Sequence, residues 1–570
     1  MTARRLLSSV REYSKTVRRA AIVTEMSIDE IRRGPRPTKQ LCTSHIRNNI
    51  EMPTKLLSNA AVKQQESPTL EKLVFDPKGL VNNNNDTATD DKDVNAEFEA
   101  AIKQLNILQS NDVTIRNSMD NPRVNTKADT LKYLERSGLP LTKLEQLSFI
   151  HVAGTKGKGS TCALTESLLR HNGVHTGFFS SPHIVYTTER IRIDGLPLAK
   201  EKFTKQFWKV YKRLQERQEF ELDMPAYFKF LTILAFHVFI EERVDVAVLE
   251  VGIGGEHDCT NIVRNVRTVG IASLGLEHTE LLGNTLPEIA WQKAGIIKPG
   301  AHVYTHVSQP ECLQVIRQRA QENQAILHEV PPTRHYFQSN QYAQHWDNLN
   351  QVVKLNGSLA IHLATDWLSQ TSGPLHRDYT LNEAKLEPEI LLGLLNAHWP
   401  GRCQLVEYRG MRLHLDGAHT MESMAVCTKW FAESISQSSS PRILIFNRTG
   451  GSDIRQMLSL VNRACAYDMV CFVPNYATSN PNAPSQVMVR FSPEQRMMRV
   501  RDIATQWSQM CTQEKQPDRG QVYSTLTDAF TSIRQRFDTD NGHIEVLITG
   551  SIHLLGAAIS ALNYMDQSQT

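Results

Sequence analysis

The chain has 570 residues, a formal net charge of +3 and a hydrophobic content of 40%. This length exceeds what one hydrophobic core organises, so we expect two domains with appended segments. The small net charge gives no indication of a nucleic-acid partner, and none is expected. The longest apolar run, residues 231–240, is too short to span a bilayer, which argues against membrane insertion. Nine cysteines without CxxC spacing argue against a disulfide framework and suit a reducing compartment.

The first twenty residues are basic and amphipathic, with six Arg and Lys side chains against the single acid Glu12. This composition is typical of a mitochondrial transit peptide, and a disordered basic tail is the alternative. Residues 21–95 are polar and lack lasting periodicity, so we expect a disordered linker there. Met26 follows the basic stretch, and initiation at Met26 would supply a cytosolic form. The sequence therefore predicts a transit segment over residues 1–20 and both a mitochondrial and a cytoplasmic location.

One stretch joins an apolar run to a glycine-rich turn and then to an apolar pattern with helical spacing. Backbone N–H groups of such a turn, together with the positive end of the following helix, bind phosphate oxygens. Lys158 adds a mobile cation. The spacing departs from the Walker pattern, because two residues, and not four, separate Gly154 from Gly157 and Lys158. A glycine turn alone is often structural, but the lysine and the hydroxyl groups favour a nucleotide phosphate site. The residues assigned to this site are Gly154, Gly157, Lys158, Gly159 and Ser160.

Polar residues also follow three further apolar runs, at Ser181, Glu250 and His278. Ligands of open α/β sheets bind at the carboxyl ends of parallel strands, so we expect these side chains near the glycine-rich turn. A carboxylate at the end of a core strand is costly to bury alone, and a bound cation is its natural partner. The alternatives are a helix-capping or salt-bridged acid for Glu250 and a capping or core histidine for His278.

A second α/β pattern begins near residue 400. It has a strand over residues 412–415, a turn over 416–419 and a helix over 421–431. We therefore predict an α/β fold in which a P-loop-type parallel-sheet ATPase domain precedes a smaller Rossmann-like domain, with a cleft between them. The predicted boundaries are 96–398 and 399–570, and further strands are expected at 442–446, 469–473 and 544–548.

In combination, these motifs resemble folylpolyglutamate synthases, within the wider superfamily of Mur-type, ATP-dependent amide ligases. The resemblance covers about residues 96–570. Thr420, which follows the turn at 416–419, is similar to the eukaryotic branch and unlike the bifunctional bacterial enzymes that also make dihydrofolate. The motifs that carry the resemblance are residues 151–160, 180–183, 250–255, 278–279, 292–295, 398–402 and 415–419.

The resemblance implies an ATP- and Mg²⁺-dependent ligase that adds L-glutamate to the γ-carboxylate of reduced folates through an acyl phosphate. It also implies that Lys293 is carbamylated, whereas a salt bridge to a phosphate or to Glu250 is the bland alternative for this lysine. A monomer is expected. The implied roles are catalysis for Lys158, Lys293, His278 and His419, metal association for Ser181, Glu250 and His278, closure on ATP for Arg402 and Asp416, glutamate binding for His419 and Ser551, and part of a folate site for residues 223–228.

Three other functions are compatible with these motifs. The first is a dihydrofolate synthase or another Mur-like ligase, and the second is a nucleotide-binding protein that ligates nothing. The third is a kinase, which would release a phosphorylated product. Lys293, together with Arg402 and Asp416 in a separate domain, argues against the second, because a nucleotide switch needs no second substrate cleft.

Overall fold

The computed structural model describes residues 90–108, 126–331, 346, 351–371, 375–376, 388–448, 454–477, 492–537 and 543–567. All of these belong to one unit within residues 68–570. The predicted transit segment and nearly all of the predicted linker lie outside the described residues. The first described helix begins at Asp90, before the boundary expected at residue 96.

An eight-stranded sheet forms the first half of the fold, in the order β4-β3-β2-β5-β1-β6-β7-β8. The pairs β2–β5, β5–β1, β1–β6, β6–β7 and β7–β8 are parallel, and the pairs β4–β3 and β3–β2 are antiparallel. The central strand β1 leads into the glycine-rich turn, with β5 and β6 on its two sides. Its strands are β1 Ser148–Ala153, β2 Thr176–Phe179, β3 Ile191–Ile193, β4 Leu196–Pro197, β5 Val246–Glu250, β6 Val266–Ile271, β7 His302–Thr305 and β8 Ile326–Glu329.

Helices cover both faces of this sheet, because alternate residues of its strands are apolar on both sides. Phe149 and Leu249 face one core, and their strand neighbours Ile150 and Val248 face the other. The helices are α1 Asp90–Ile107, α2 Thr126–Arg136, α3 Leu141–Leu144, α4 Lys158–His171, α5 Lys200–Glu216, α6 Tyr227–Glu242, α7 Thr279–Leu282, α8 Leu286–Ala294, α9 Pro310–Glu322, α10 Gln351–Gln370 and α11 Pro388–Leu395.

A six-stranded sheet forms the second half, in the order β13-β12-β11-β14-β10-β9, parallel except for the β9–β10 pair. Leu413 and Leu444 lie in the two cores on its opposite faces. Its elements are β9 Gln404–Tyr408, β10 Met411–Asp416, α12 Met421–Ser434, β11 Arg442–Phe446, α13 Ile454–Ala464, β12 Met469–Phe472, α14 Pro493–Gln513, β13 Gly520–Val522, α15 Leu526–Phe537, β14 Ile544–Thr549 and α16 Ile552–Gln567.

The segment after β2 joins the two halves. Ile184 and Val185 belong to the first half in sequence but pack in a core of the second sheet. A Cβ atom at Gly556 of α16 would lie 1.9 Å from the backbone oxygen of Ile184, so the two segments approach as closely as glycine permits. The loop that follows β2 is therefore anchored on the second sheet while its start remains at the edge of the first.

The predicted fold class is confirmed, since the two sheets are mainly parallel and the loop follows the central strand. The strands predicted at 412–415, 442–446, 469–473 and 544–548 occur within one residue of these bounds. Sequence patterns missed the strands β3, β4, β8, β9 and β13. They also missed the helices α5, α6, α9, α13, α14, α15 and α16. None of the described helices is long and apolar enough to cross a membrane.

Candidate active site at the carboxyl edges of the two sheets

The turn after β1 has the geometry of a phosphate loop. Gly157 is the N-cap of α4 and has φ of +85°, a conformation that glycine adopts without strain. A Cβ atom there would lie 2.3 Å from Oδ1 of Asn356 on α10. At Gly159 a Cβ atom would lie 2.7 Å from the ring of Trp399 and 3.2 Å from Oε2 of Glu250. The turn is therefore packed on several sides, and its glycines are needed for space as well as for conformation.

Two lysines converge on one carbonyl group of this turn. Nζ of Lys158 donates to the Gly154 oxygen at 3.0 Å, and Nζ of Lys293 donates to the same oxygen at 2.8 Å. Lys293 is buried in α8, whereas Lys158 is only partly buried. Burial, and then the charge of Lys158, lower the pKa of Lys293 to about 7. The arrangement concentrates positive charge at the place where phosphate groups would lie.

Glu250 supplies a buried carboxylate beside the same turn. Its Oε2 accepts a hydrogen bond from the backbone N–H of Ser181 at 3.1 Å. Burial raises the pKa of Glu250, and the charges of Lys158, Arg402 and Arg190 oppose this effect. Glu250 and Ser181 are thus brought together at the ends of β5 and β2, as the strand-end argument predicts.

His278 lies at the end of the segment after β6, where it is exposed and precedes α7 with φ of +53°. Partial burial of the ring and the charges of Lys158 and Lys293 lower the pKa of His278. The capping alternative is not supported, because the His278 side chain makes no capping hydrogen bond to α7.

The residues expected to hold magnesium fit an ion that takes further ligands from a nucleotide. Among the described residues, no group of three or more His, Cys, Asp or Glu side chains is placed to hold a metal alone. Mg²⁺ commonly binds through one or two carboxylates together with substrate phosphates and water. The buried oxygen of Glu250 beside a phosphate loop matches that donor set.

The second sheet presents its own polar residues at the end of β10. Oδ2 of Asp416 accepts from the backbone N–H of Cys403 at 2.8 Å, and the N–H of Gly417 donates to the Gly401 oxygen at 3.0 Å. Burial raises the pKa of Asp416, and the Arg402 charge opposes it. These contacts fix the segment that carries Arg402 against the turn after β10.

His419 and Ser551 follow β10 and β14, which are neighbouring parallel strands. Nδ1 of His419 lies 2.9 Å from the Gly417 oxygen, and Nε2 lies 4.0 Å from Oε1 of Glu277 of the first half. Oγ of Ser551 accepts from the N–H of His553 at 3.2 Å in the first turn of α16. The loop after β10 therefore approaches the loop after β6 of the first half at His419 and Glu277.

Asp223, in the stretch expected to contribute to a folate site, is engaged in an internal network. Its two carboxylate oxygens accept from the Tyr133 hydroxyl and from the Arg136 guanidinium, both at 2.7 Å, and its side chain is 1% exposed. Phe228 lies instead beside the end of β5, because a Cβ atom at Gly252 would be 2.4 Å from its ring. The stretch thus divides into a structural acid and an aromatic residue near the candidate site.

Four neighbours of the site were assigned no role from the sequence, although Lys156 and Trp399 lie within motifs 151–160 and 398–402. Asn356 is a buried polar residue on an apolar helix, which is a detectable signal. Trp399 packs on Phe178 with ring centroids 5.6 Å apart, but only the structure shows that it also lies over Gly159. The other two missed neighbours, Lys156 and Glu277, form an ion pair across 121 residues, which no local pattern reveals.

The fold and the site together define a mixed α/β protein with a glycine-rich, lysine-bearing loop at one sheet edge and a second sheet facing it. Comparison with protein-family models gives no match. Curated relatives are more informative. The mitochondrial folylpolyglutamate synthase of Cricetulus griseus is 36% identical over 82% of this chain and 92% of its own length. That of Homo sapiens is 40% identical over 74% of this chain and 75% of its own length. The chain belongs to the folylpolyglutamate synthase family.

Solved structures with lower identity share the fold. Folylpolyglutamate synthase of Mycobacterium tuberculosis, complexed with ADP, has a TM-score of 0.57 at 21% identity, covering 79% of this chain and 98% of its own. E. coli FolC in complex with DHPP and ADP has a TM-score of 0.55 at 21% identity, covering 80% and 98%.

The Asp223 network generates a stability prediction. We expect Asp223→Asn to lower the free energy of unfolding by about 3 kcal/mol, because it leaves the buried Arg136 without its closest charged partner. Substrate affinity should not change. Thermal and urea unfolding measure the first effect, and Michaelis constants measure the second. Glu219→Gln is the matched control, since Glu219 contacts the same arginine from an exposed position. A stable Asp223→Asn variant with weakened substrate binding would show that Asp223 contacts the substrate.

Proposed function

We propose that this chain is a tetrahydrofolylpolyglutamate synthase, which uses ATP to add L-glutamate to the γ-carboxylate of reduced folates. The observation that carries this function is identity of 36–40% to named folylpolyglutamate synthases over most of the chain. The loop geometry supports the use of ATP, because backbone amides, Lys158 and a helix N-terminus face the place that a triphosphate would occupy.

The chemistry requires activation of the carboxylate. A carboxylate does not react with an amine in water, since oxide would have to leave. Transfer of the γ-phosphoryl group to the folate carboxylate yields an acyl phosphate, from which the glutamate amine displaces phosphate. In this proposal Lys158 and the amides of Gly157, Gly159 and Ser160 stabilise the charge that develops during transfer.

Magnesium is the proposed metal cofactor, and Glu250, Ser181 and His278 are its proposed protein-side residues. Bound Mg²⁺ would neutralise phosphate charge at this edge of the sheet. The support is the buried carboxylate of Glu250 next to the loop, together with the N–H of Ser181 that orients it. The nucleotide would supply the remaining oxygen ligands.

Closure on the nucleotide is proposed for Arg402 and Asp416, and contact with the incoming glutamate for His419 and Ser551. All four belong to the second sheet or to the segment that enters it. Building the site from two sheets excludes water from the acyl phosphate, which would otherwise be hydrolysed.

We further propose that Lys293 is carbamylated. Its neutral amine would add CO₂ with loss of a proton, giving an anionic carbamate that can approach the metal. The support is its burial beside the Gly154 carbonyl, together with a pKa lowered to about 7 from the usual value of about 10.4. A simple ion pair with Glu250 is not among the contacts of the described residues.

This proposal predicts that Lys293→Arg is inactive, because arginine keeps the positive charge but cannot become a carbamate. Lys293→Ala should lose about 100-fold or more in kcat and regain part of it with added formate or acetate. The matched control is Lys298→Arg, since Lys298 lies in the same segment but donates to Asn261. Retention of most activity by Lys293→Arg, measured in the ATP-dependent ligation assay, would exclude the carbamate.

The function itself predicts a mass ladder. Incubation with tetrahydrofolate monoglutamate, ATP, magnesium and glutamate should give folates that differ by successive glutamyl units, as measured by mass spectrometry. Dihydropteroate offered in place of folate should give no product, since Thr420 is unlike the bifunctional enzymes. Product from dihydropteroate but not from folate would instead indicate a dihydrofolate synthase. ATP binding without any ligation would indicate a nucleotide-binding protein.

Location and assembly complete the proposal. Mitochondrial relatives support import through residues 1–20, and initiation at Met26 would give a cytoplasmic form. A reporter fused to residues 1–20 should enter mitochondria. A reporter fused to the chain that starts at Met26 should not. We propose a monomer without a nucleic-acid partner, in keeping with the net charge of +3.

A further inference from the structure

Glu277 lies between the phosphate loop and the second sheet and has no role in the function proposed above. Its carboxylate oxygens accept hydrogen bonds from Nζ of Lys156 at 3.2 and 3.3 Å. The backbone N–H of Lys156 also donates to the Ser273 oxygen at 3.2 Å. Lys156, a residue of the phosphate loop, is therefore tied to the segment after β6 by both its backbone and its side chain.

The same carboxylate faces the second sheet. Nε2 of His419 lies 4.0 Å from Oε1 of Glu277. Nδ1 of this histidine lies 2.9 Å from the Gly417 oxygen and donates to it, so Nε2 is the atom turned toward Glu277. Burial lowers the pKa of His419 and the charge of Glu277 opposes this effect, and Nε2 can donate to the carboxylate only when the ring is protonated. One carboxylate thus contacts a cation of the loop and closely approaches a residue proposed to meet the incoming glutamate.

We propose that Glu277 is a positioning residue for the ligation step, which restrains the Lys156 ammonium and orients His419 across the cleft. The inference rests on the proposed function and deepens it. It names Glu277 as the residue that couples the nucleotide side of the cleft with the glutamate side. Glu277 acts through Lys156 and His419 and need not touch either substrate.

Charge explains why a restraint on Lys156 is needed. Lys158 already places one cation at the Gly154 carbonyl, and Lys156 is a second cation of the same turn. The Glu277 carboxylate is the anion that accepts from the Lys156 ammonium, at 3.2 and 3.3 Å. With Glu277 neutralised, Lys156 would be released toward the nucleotide phosphates and His419 would lose its anionic neighbour.

If Glu277 served only to stabilise the fold, its substitution would lower the unfolding temperature, but the exposure of the pair argues against this. The side chains of Lys156 and Glu277 are 32% and 26% exposed, and ion pairs this accessible contribute little to folding stability. Loss of the pair should therefore leave the unfolding temperature almost unchanged. Any large kinetic effect of Glu277 would then reflect positioning and not instability.

The test compares Glu277→Gln with Glu280→Gln, a neighbouring exposed acid of α7 that serves as the matched control. We expect Glu277→Gln to lower kcat/KM for glutamate about tenfold, with the KM for ATP unchanged or lower. Glu277→Asp should recover part of the loss because it keeps the charge. Thermal midpoints of all three variants should match that of the unmodified chain.

A double-mutant cycle with Lys156→Met then isolates the pair. Because both changes remove the same restraint, the double variant should be no worse than Glu277→Gln alone. Three results would overturn the inference: Glu277→Gln kinetics equal to those of Glu280→Gln, equal loss for ATP and glutamate, or full additivity in the cycle. These kinetic comparisons use as their reference the unmodified enzyme, which should make the glutamyl ladder. If the unmodified enzyme makes no ladder, the proposed function itself is rejected.

Discussion

The site depends on positive charge held at the end of one buried strand. Nζ of Lys158 and Nζ of Lys293 share the Gly154 carbonyl at 3.0 and 2.8 Å, in a turn whose glycines have no room for a side chain. Two ammonium groups this close repel each other, and the repulsion is relieved by anions such as phosphate or by loss of a proton. The buried carboxylate of Glu250 supplies part of the compensation. A polyanionic ligand would supply the rest, which is why the same geometry favours ATP.

The second sheet completes this arrangement through packing as well as charge. Ile184 and Val185 carry the loop after β2 into the core of the second sheet, while Ser181, three residues earlier, donates to Glu250. Trp399 lies over Gly159 just before the chain enters β9. Apolar contacts therefore set the distance between the two sheet edges, and polar groups such as Glu277 and His419 act within that distance.

The sequence predicts the parts of this fold that are locally encoded. The runs that form β1 and β5 are mainly apolar because both faces of their sheet are covered, so the polar endpoint Glu250 stands out. The edge strands β8 and β13 are partly exposed and give no such run. Helix α6 is buried on nearly all sides and lacks the periodicity by which an amphipathic helix is recognised.

Contacts between distant segments could not be predicted in the same way. Asp223 belongs to a stretch that resembles a substrate site, yet its carboxylate is satisfied by Tyr133 and Arg136 of α2. The pairing of Lys156 with Glu277 likewise depends on the register of β1 beside β6, which is set by the folded sheet. Family resemblance supplied the roles of single residues, whereas their partners required the structure.

In the proposed reaction, the site activates a folate carboxylate by phosphorylation before the amide forms. Tetrahydrofolate labelled with ¹⁸O in both oxygens of its γ-carboxyl group tests it directly, with the released phosphate examined by mass spectrometry after one turnover. An acyl phosphate predicts one ¹⁸O atom in each phosphate released and one in the amide carbonyl, because the oxygen that attacks phosphorus leaves with it. Phosphate free of label, with product still formed, would exclude activation by phosphorylation.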